Sequence, residues 1–327
     1  MGGSSDKRKT YSEARLAELA NGLVGVRELL AAGGLCIYAT GSYGRLEAWS
    51  ASDIDLFFLY EDYDSASYLD FIRIAAHVIE KTQEMDFPPF SGDGKYLEAL
   101  DVARMEQILG SRNDDHTNAF TARMLLLLES QPISDAERYR ELLARIISFY
   151  YRDLPGHEQD FVPTFLVNDI LRFWRTLTLN YEHDRFEARA ERDPATRELA
   201  LTKSSLKNYK LKHSRLATCF SMVAHLASEQ PPVRAERVTE LCRMTPHQRF
   251  SQLLAHGGAV EALIAELGER YETFLACVQR PDEELLAEFS DSAQRRKRFD
   301  EAAGYGDAIF RLLTLVVSGD RMRQLVI

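Results

Sequence analysis

Two carboxylates one residue apart, Asp53 and Asp55, open an apolar run that continues to Tyr60, with Ile54 between them and Leu56 after. On a strand, alternate residues face opposite sides, so both acids share one face and the apolar pair takes the other. Neighbouring carboxylates repel unless a cation lies between them. Hard oxygen donors in this number suit magnesium, which keeps several waters and accepts one or two carboxylates together with substrate phosphates. Upstream lies a complementary half, Thr40-Gly41-Ser42-Tyr43-Gly44-Arg45-Leu46-Glu47, after the apolar run Leu35 to Ala39. Gly41 lets the backbone come close to a ligand, and the amides that open the following short helix offer donors to phosphate oxygens. Ser42 adds a hydroxyl. Together these residues could hold a polyphosphate and the metal that accompanies it.

A strand, a tight turn, a short helix and a second strand must position them. Before this unit, Thr10 and Ser12 are expected to cap a helix whose Leu16, Leu19, Leu23, Val26 and Leu30 recur at helical spacing, and Gly33-Gly34 stops it. After it, the loop Glu61 to Asp64 leads to a helix with Tyr68, Phe71, Ile72, Ala75, Val78 and Ile79 on one face. Phe87 to Gly94 is turn chemistry, and Tyr96 to Val102 reads as a third strand. Beyond residue 103 the strand signals fade and the remainder reads as helices. Ser134 and Glu137 have the spacing of a capping box, Pro155-Gly156 makes a seam, and residues 184 to 202 read as an exposed loop or frayed helix.

Gly41-Ser42 followed by Asp53-x-Asp55 resembles the signature of the DNA polymerase beta nucleotidyltransferase superfamily. Arg45 and Glu47 between the halves, Asp114-Asp115 with Arg123, and the string Phe165 to Thr176 look closest to the bacterial uridylyltransferases that modify PII nitrogen-signalling proteins, here in a stand-alone form. The resemblance implies an α+β fold. Residues 1–130 would form a catalytic domain on a small mixed β-sheet, and 131–327 an all-α helical-bundle domain closing a cleft over it. It also implies transfer of a nucleoside monophosphate from a nucleoside triphosphate such as ATP to a hydroxyl acceptor, with pyrophosphate leaving. Two magnesium ions, or manganese in their place, would be held by Asp53, Asp55 and a third carboxylate. Asp93, Glu98 and Asp101 compete for that third role, and Glu98 is our choice. Gly41 and Ser42 would hold terminal phosphates. Arg45 would contact substrate or brace the turn together with Glu47.

Two further basic groups could reach the triphosphate. Asn168, Arg172 and Arg175 share a helix face, with Asp169 beside it as an ordinary helix-surface partner for Arg172. Lys203, Lys207, Lys210, Lys212, His213 and Arg215 follow one another with no acid among them. Of these, Arg172, Lys203 and Lys207 are expected at the nucleotide. The resemblance to uridylyltransferases points first to a protein as acceptor, and second to RNA or another nucleotide. A silent nucleotide-binding module is the third reading, and the intact Asp53 and Asp55 speak against it.

Composition bounds the remaining choices. The chain has 327 residues, 45% hydrophobic and 28% charged, with a formal net charge of -10. A pI near 5.4 disfavours a protein that coats duplex DNA, which needs many basic contacts to phosphate. No apolar stretch is long enough to span a membrane, and the N-terminal residues lack a signal-peptide apolar region, so a cytoplasmic location is expected. Cys36, Cys219, Cys242 and Cys277 show no metal spacing and are expected to be reduced and packed.

Overall fold

The computed structural model describes residues 4–61, 68–90, 94 and 97–325. It combines a small mixed four-stranded sheet with a large all-helical part. The chain divides into two compact units, one of residues Met1–Glu158 with Arg234–Thr245, the other of Gln159–Val233 with Pro246–Ile327. The seam near residue 158 lies close to Pro155-Gly156. Residues 131–158 and 234–245 fall in the first of these units.

In the first unit, α1 (Ser4–Gly22) runs through a short 3-10 turn (Leu23–Val26) into α2 (Arg27–Ala32). Then come β1 (Cys36–Thr40), α3 (Gly41–Gly44), β2 (Asp55–Tyr60), α4 (Tyr68–Glu84) and β3 (Ala99–Asp101). Short helices α5 (Val102–Ile108) and α6 (Arg112–His116) lead to α7 (Ala119–Leu128), β4 (Gln131–Pro132) and α8 (Ala136–Ser148). The strand order is β3-β2-β1-β4, antiparallel throughout except for β2 with β3. One sheet face, with Ile37, Ala39, Leu56 and Phe58, is buried against Leu16 and Leu19 of α1, Leu30 of α2, and Phe71, Ile74 and Val78 of α4. The other carries Tyr38, whose hydroxyl lies 3.5 Å from the Ala122 carbonyl oxygen of α7. A later helix, α12 (Ala235–Cys242), packs on α8.

Beneath α7 lies a charged pair with no solvent exposure. Arg123 donates from Nη1 and Nη2 to the two carboxylate oxygens of Asp114, at 2.8 Å each, and from Nε to the Tyr150 hydroxyl at 2.8 Å. Asp114 and Arg123 therefore have an architectural part: a bidentate fork anchors α6 to α7.

Several local expectations are corrected. Ser12 lies inside α1 and does not cap it; its buried hydroxyl accepts from the Ala48 amide at 3.0 Å. Ser134 likewise accepts from the Ile37 amide at 2.8 Å, and Asp135 caps α8 through the Glu137 and Arg138 amides. Tyr68 and Ile72 are exposed on α4, while Ile74 takes the inward place. Residues 184 to 202 are mostly helical.

The second unit is helical. α9 (Thr164–Ala190) is followed by α10 (Pro194–Lys210), capped by Asp193, which passes through a π-helical turn (Leu211–Arg215) into α11 (Leu216–Ser228). After α13 (Pro246–Gln252) come α14 (Ala259–Val278), α15 (Asp282–Ser290), α16 (Ser292–Val316) and α17 (Gly319–Leu325). Its interior is aromatic around His213, which stacks on Phe274 at 4.5 Å and on Tyr305 at 5.1 Å. Among the described residues, no helix is long and apolar enough to cross a membrane.

Candidate active site

The end of β1 and the start of β2 face each other across the antiparallel ladder, Thr40 opposite Asp55 and Tyr38 opposite Phe57. Directly opposed residues of such a ladder share a sheet face. Tyr38 and Phe57 confirm the phase by stacking at 5.5 Å, which puts Thr40 and Asp55 together on that face. Burial alternates as the sequence pattern requires: Asp53 is exposed, Ile54 buried, Asp55 half-buried and Leu56 buried. Asp53 stands just ahead of the strand.

Gly41 brings the turn onto this carboxylate. Its φ of +67° is left-handed, and a Cβ built on it would stand 2.9 Å from Oδ2 of Asp55. Only glycine combines that conformation with that approach. Beside it, Thr40 is 1% exposed, and among the described residues its Oγ1 has no hydrogen-bond partner. An orphaned buried hydroxyl costs roughly 1 to 3 kcal/mol, so a ligand atom that satisfied it would be bound with advantage. Sequence reading did not single out Thr40; only the register with Asp55 reveals it.

The far end of the turn is fixed from a distant segment. Gly44 lies against the Glu129 backbone, and its carbonyl accepts from Gln131 Nε2 at 3.2 Å. Arg45 donates from Nε to Glu47 at 2.8 Å and from Nη1 to Glu129 at 2.7 Å, and it is 9% exposed. Arg45 and Glu47 thus brace the turn. Tyr43 points into the core, where burial holds its phenol above the ordinary range. Ser42 is half-buried on α3.

Strand parity separates the candidates for a third carboxylate. In the parallel ladder Ala99 pairs with Phe58 and Asp101 with Tyr60, on the face opposite Asp55. Asp101 moreover caps α5, accepting from the Arg104 amide at 2.9 Å. Glu98 has the parity of the Asp55 face and is exposed, immediately before β3. Asp93 lies outside the described residues.

Residues 12–95 match the family model described as putative nucleotidyltransferase DUF294. The matched segment takes in β1, the Gly41–Gly44 turn, Asp53 and Asp55, and ends just before Glu98. No curated protein and no solved structure matches the chain.

The helical-unit residues expected at the nucleotide have local surroundings of their own. Arg172 Nη1 lies 3.4 Å from the buried carboxylate of Asp169, one helical turn back. Lys207 pairs with Asp184 of α9. Lys203 is exposed on α10.

Among the described residues, no group of three or more His, Cys, Asp or Glu side chains comes together to hold a metal. What this end of the sheet offers is the carboxylate of Asp55 beside the Thr40 hydroxyl, with a second carboxylate, Asp53, two residues earlier in the chain, a hard-oxygen donor set. That set fits magnesium, which takes few protein ligands and completes its shell with water and phosphate.

Proposed function

We propose that the chain is a nucleotidyltransferase that moves a nucleoside monophosphate from a nucleoside triphosphate to a hydroxyl on a protein. The observation that carries this reading is the approach of the Gly41 backbone to Asp55 beside the orphaned Thr40 hydroxyl. A phosphate-accommodating turn and a metal-binding carboxylate are useful together only where a metal-bound phosphate is the substrate. The family match over residues 12–95 supports the same reaction class.

In this reading Asp53 and Asp55 hold magnesium or manganese, one ion or two, which when bound supplies charge neutralisation at the reacting phosphate. The Gly41 backbone and the Ser42 and Thr40 hydroxyls orient the phosphate oxygens. Arg45, through Glu47 and Glu129, keeps the turn rigid, so that little reorganisation is left for the reaction step. The acceptor hydroxyl forms a bond to the α-phosphorus in line with the bond that breaks, pyrophosphate leaves with the breaking bond's electron pair, and the hydroxyl proton passes to a carboxylate, for which Glu98 has the right face. Arg172, Lys203 and Lys207 are proposed to neutralise the triphosphate; for Arg172 and Lys207 this requires exchange of their present carboxylate partners.

A protein acceptor is preferred on the resemblance to the uridylyltransferases, and RNA or a second nucleotide comes next. A cytoplasmic setting, rich in nucleoside triphosphates and magnesium, belongs to the same proposal. The test incubates the protein with each α-labelled nucleoside triphosphate, magnesium and a cell extract, and follows pyrophosphate release and label in the protein, RNA and small-molecule fractions. Label in protein that disappears in Asp55→Asn, with an unchanged thermal melt, is the expected outcome. Label in RNA would replace the acceptor. Nucleotide binding with no turnover under any condition would replace the enzyme by a binding module.

A further inference from the structure

The second unit contains a feature that the proposed reaction does not use: an open groove of about 730 Å³ between α9, α10 and α16. Its lining carries Arg185, Arg189, Arg197, Lys212 and Arg295, against one carboxylate, Glu198. Three helices and the π-helical turn supply these cations. Arg185 and Arg189 are one turn apart on α9, Arg197 lies near the start of α10, Lys212 in the π-helical turn, and Arg295 in the first turn of α16.

Two observations set this groove apart from a solvated basic face. First, the chain has 50 acidic residues against 40 basic ones, so carboxylate partners are plentiful; yet among the described residues Arg189, Arg197 and Lys212 have none within ion-pair distance. Arg185 has only a distant one, Glu182 at 3.6 Å, and Arg295 donates to the Phe289 and Ser290 carbonyl oxygens. Second, Ser204 lines the groove, is 7% exposed, and among the described residues its Oγ has no hydrogen-bond partner. A buried hydroxyl beside unpaired guanidinium groups is matched by an anion with several oxygen acceptors. Tyr181 and Phe299 add aromatic surface to the same lining, and Lys212 already lies 5.9 Å from the Phe299 ring centre.

We propose that this groove binds a small polyphosphate, and specifically a nucleoside polyphosphate, independently of the carboxylates on the sheet. Its volume is that of a small-molecule site and not of a duplex groove. The guanidinium groups take the phosphates bidentately, Ser204 supplies a buried donor, and the aromatic residues receive the base.

The test is a calorimetric titration of the full chain with inorganic tripolyphosphate and with ATP, both in excess EDTA so that metal-dependent binding at the sheet is suppressed. Binding of both, with ATP tighter, is expected. Arg189→Ala, Arg197→Ala and Lys212→Ala should each weaken both ligands about tenfold or more. Phe299→Ala should remove the preference for ATP. Ser204→Ala should weaken tripolyphosphate while leaving the melting temperature of the ligand-free protein unchanged or higher, which separates a ligand-facing hydroxyl from a structural one. Absence of binding in EDTA, or equal affinity in all three basic-residue variants with normal melts, would overturn the proposal. So would a short single-stranded RNA that binds tighter than ATP with a steep salt dependence.

Discussion

Gly44 packs backbone to backbone on Glu129: a Cβ at Gly44 would collide with the Glu129 carbonyl oxygen and stand 2.7 Å from its carbonyl carbon. The obstacle is main chain, which cannot swing aside as a side chain can. Gly44→Ala is therefore expected to cost at least about 3 kcal/mol, the upper range of overpacking, because both segments must shift. Denaturant unfolding measures it, and a variant within 1 kcal/mol of the parent would show that the two segments are not locked.

Gly41→Ala should behave differently. The left-handed φ and the 2.9 Å approach to Asp55 both penalise a methyl group, but here the obstacle is a side-chain carboxylate that can rotate. The expected stability loss is roughly 1 to 2 kcal/mol. Magnesium-dependent nucleotide binding should fall much more, since the methyl displaces Asp55. Titration of a triphosphate alongside the melt separates the two, and full affinity would remove the turn from the site.

The Asp114 to Arg123 pair allows a test of architecture. Removing one partner leaves a buried charge without its mate, so Asp114→Ala should cost about 3 to 5 kcal/mol. Replacing both by apolar residues of similar volume should recover much of that. If the single variant unfolds at the parental denaturant midpoint, the fork does not hold α6 to α7.

His213 gives the protein a pH dependence of known sign. Burial lowers its pKa from the ordinary 6.5 to about 4, against opposing contributions from the Tyr209 carbonyl and Glu301; Arg298 and Lys212 also lower it. The unfolded chain binds the proton first, so stability is full above about pH 6.5 and is lost as pH falls toward 4. The change amounts to roughly 3 kcal/mol. In His213→Gln the dependence between pH 6.5 and 4 should be shallower by that amount; an unchanged slope would show that the imidazole does not stay neutral in the fold.

The four cysteines are free and buried. Burial pushes Cys36 and Cys219 up to about 12, so they remain thiols at pH 8. A thiol reagent at that pH should label these two only as fast as the protein opens, and all four in denaturant. Prompt labelling of Cys36 or Cys219 in the native state would contradict the packing.

The sequence is legible where a signal is local. The alternation of Asp53, Ile54, Asp55 and Leu56 fixes faces by period alone, and Gly41 announces a turn. What could not be read depends on partners distant in sequence. Ser12 and Ser134 have the chemistry of helix caps, yet each hydroxyl satisfies a distant amide, of Ala48 before β2 and of Ile37 in β1, that the sequence does not place beside it. Glu129 and Gln131 brace the turn from beyond α7, and no spacing rule connects them to Gly44 and Arg45. The sheet face of Asp101 could not be read without the register of β3 on β2. The basic residues at 203–215 were visible as a cluster, but helical phase directs Lys212 to the groove and leaves Lys207 with Asp184.

The two margins of the sheet carry a consequence for how any protein acceptor is met. On one side the outermost strand is Gln131–Pro132, where the proline has no amide hydrogen to offer; on the other it is the three residues Ala99–Asp101, terminated at once by the helix that Asp101 caps. An incoming extended peptide needs a run of free donors and acceptors to dock as an added strand. Among the described residues neither rim supplies one, so these two edges favour an acceptor gripped through side chains on helices and loops over one recruited by strand addition. The same blunt rims guard the sheet against edge-to-edge aggregation.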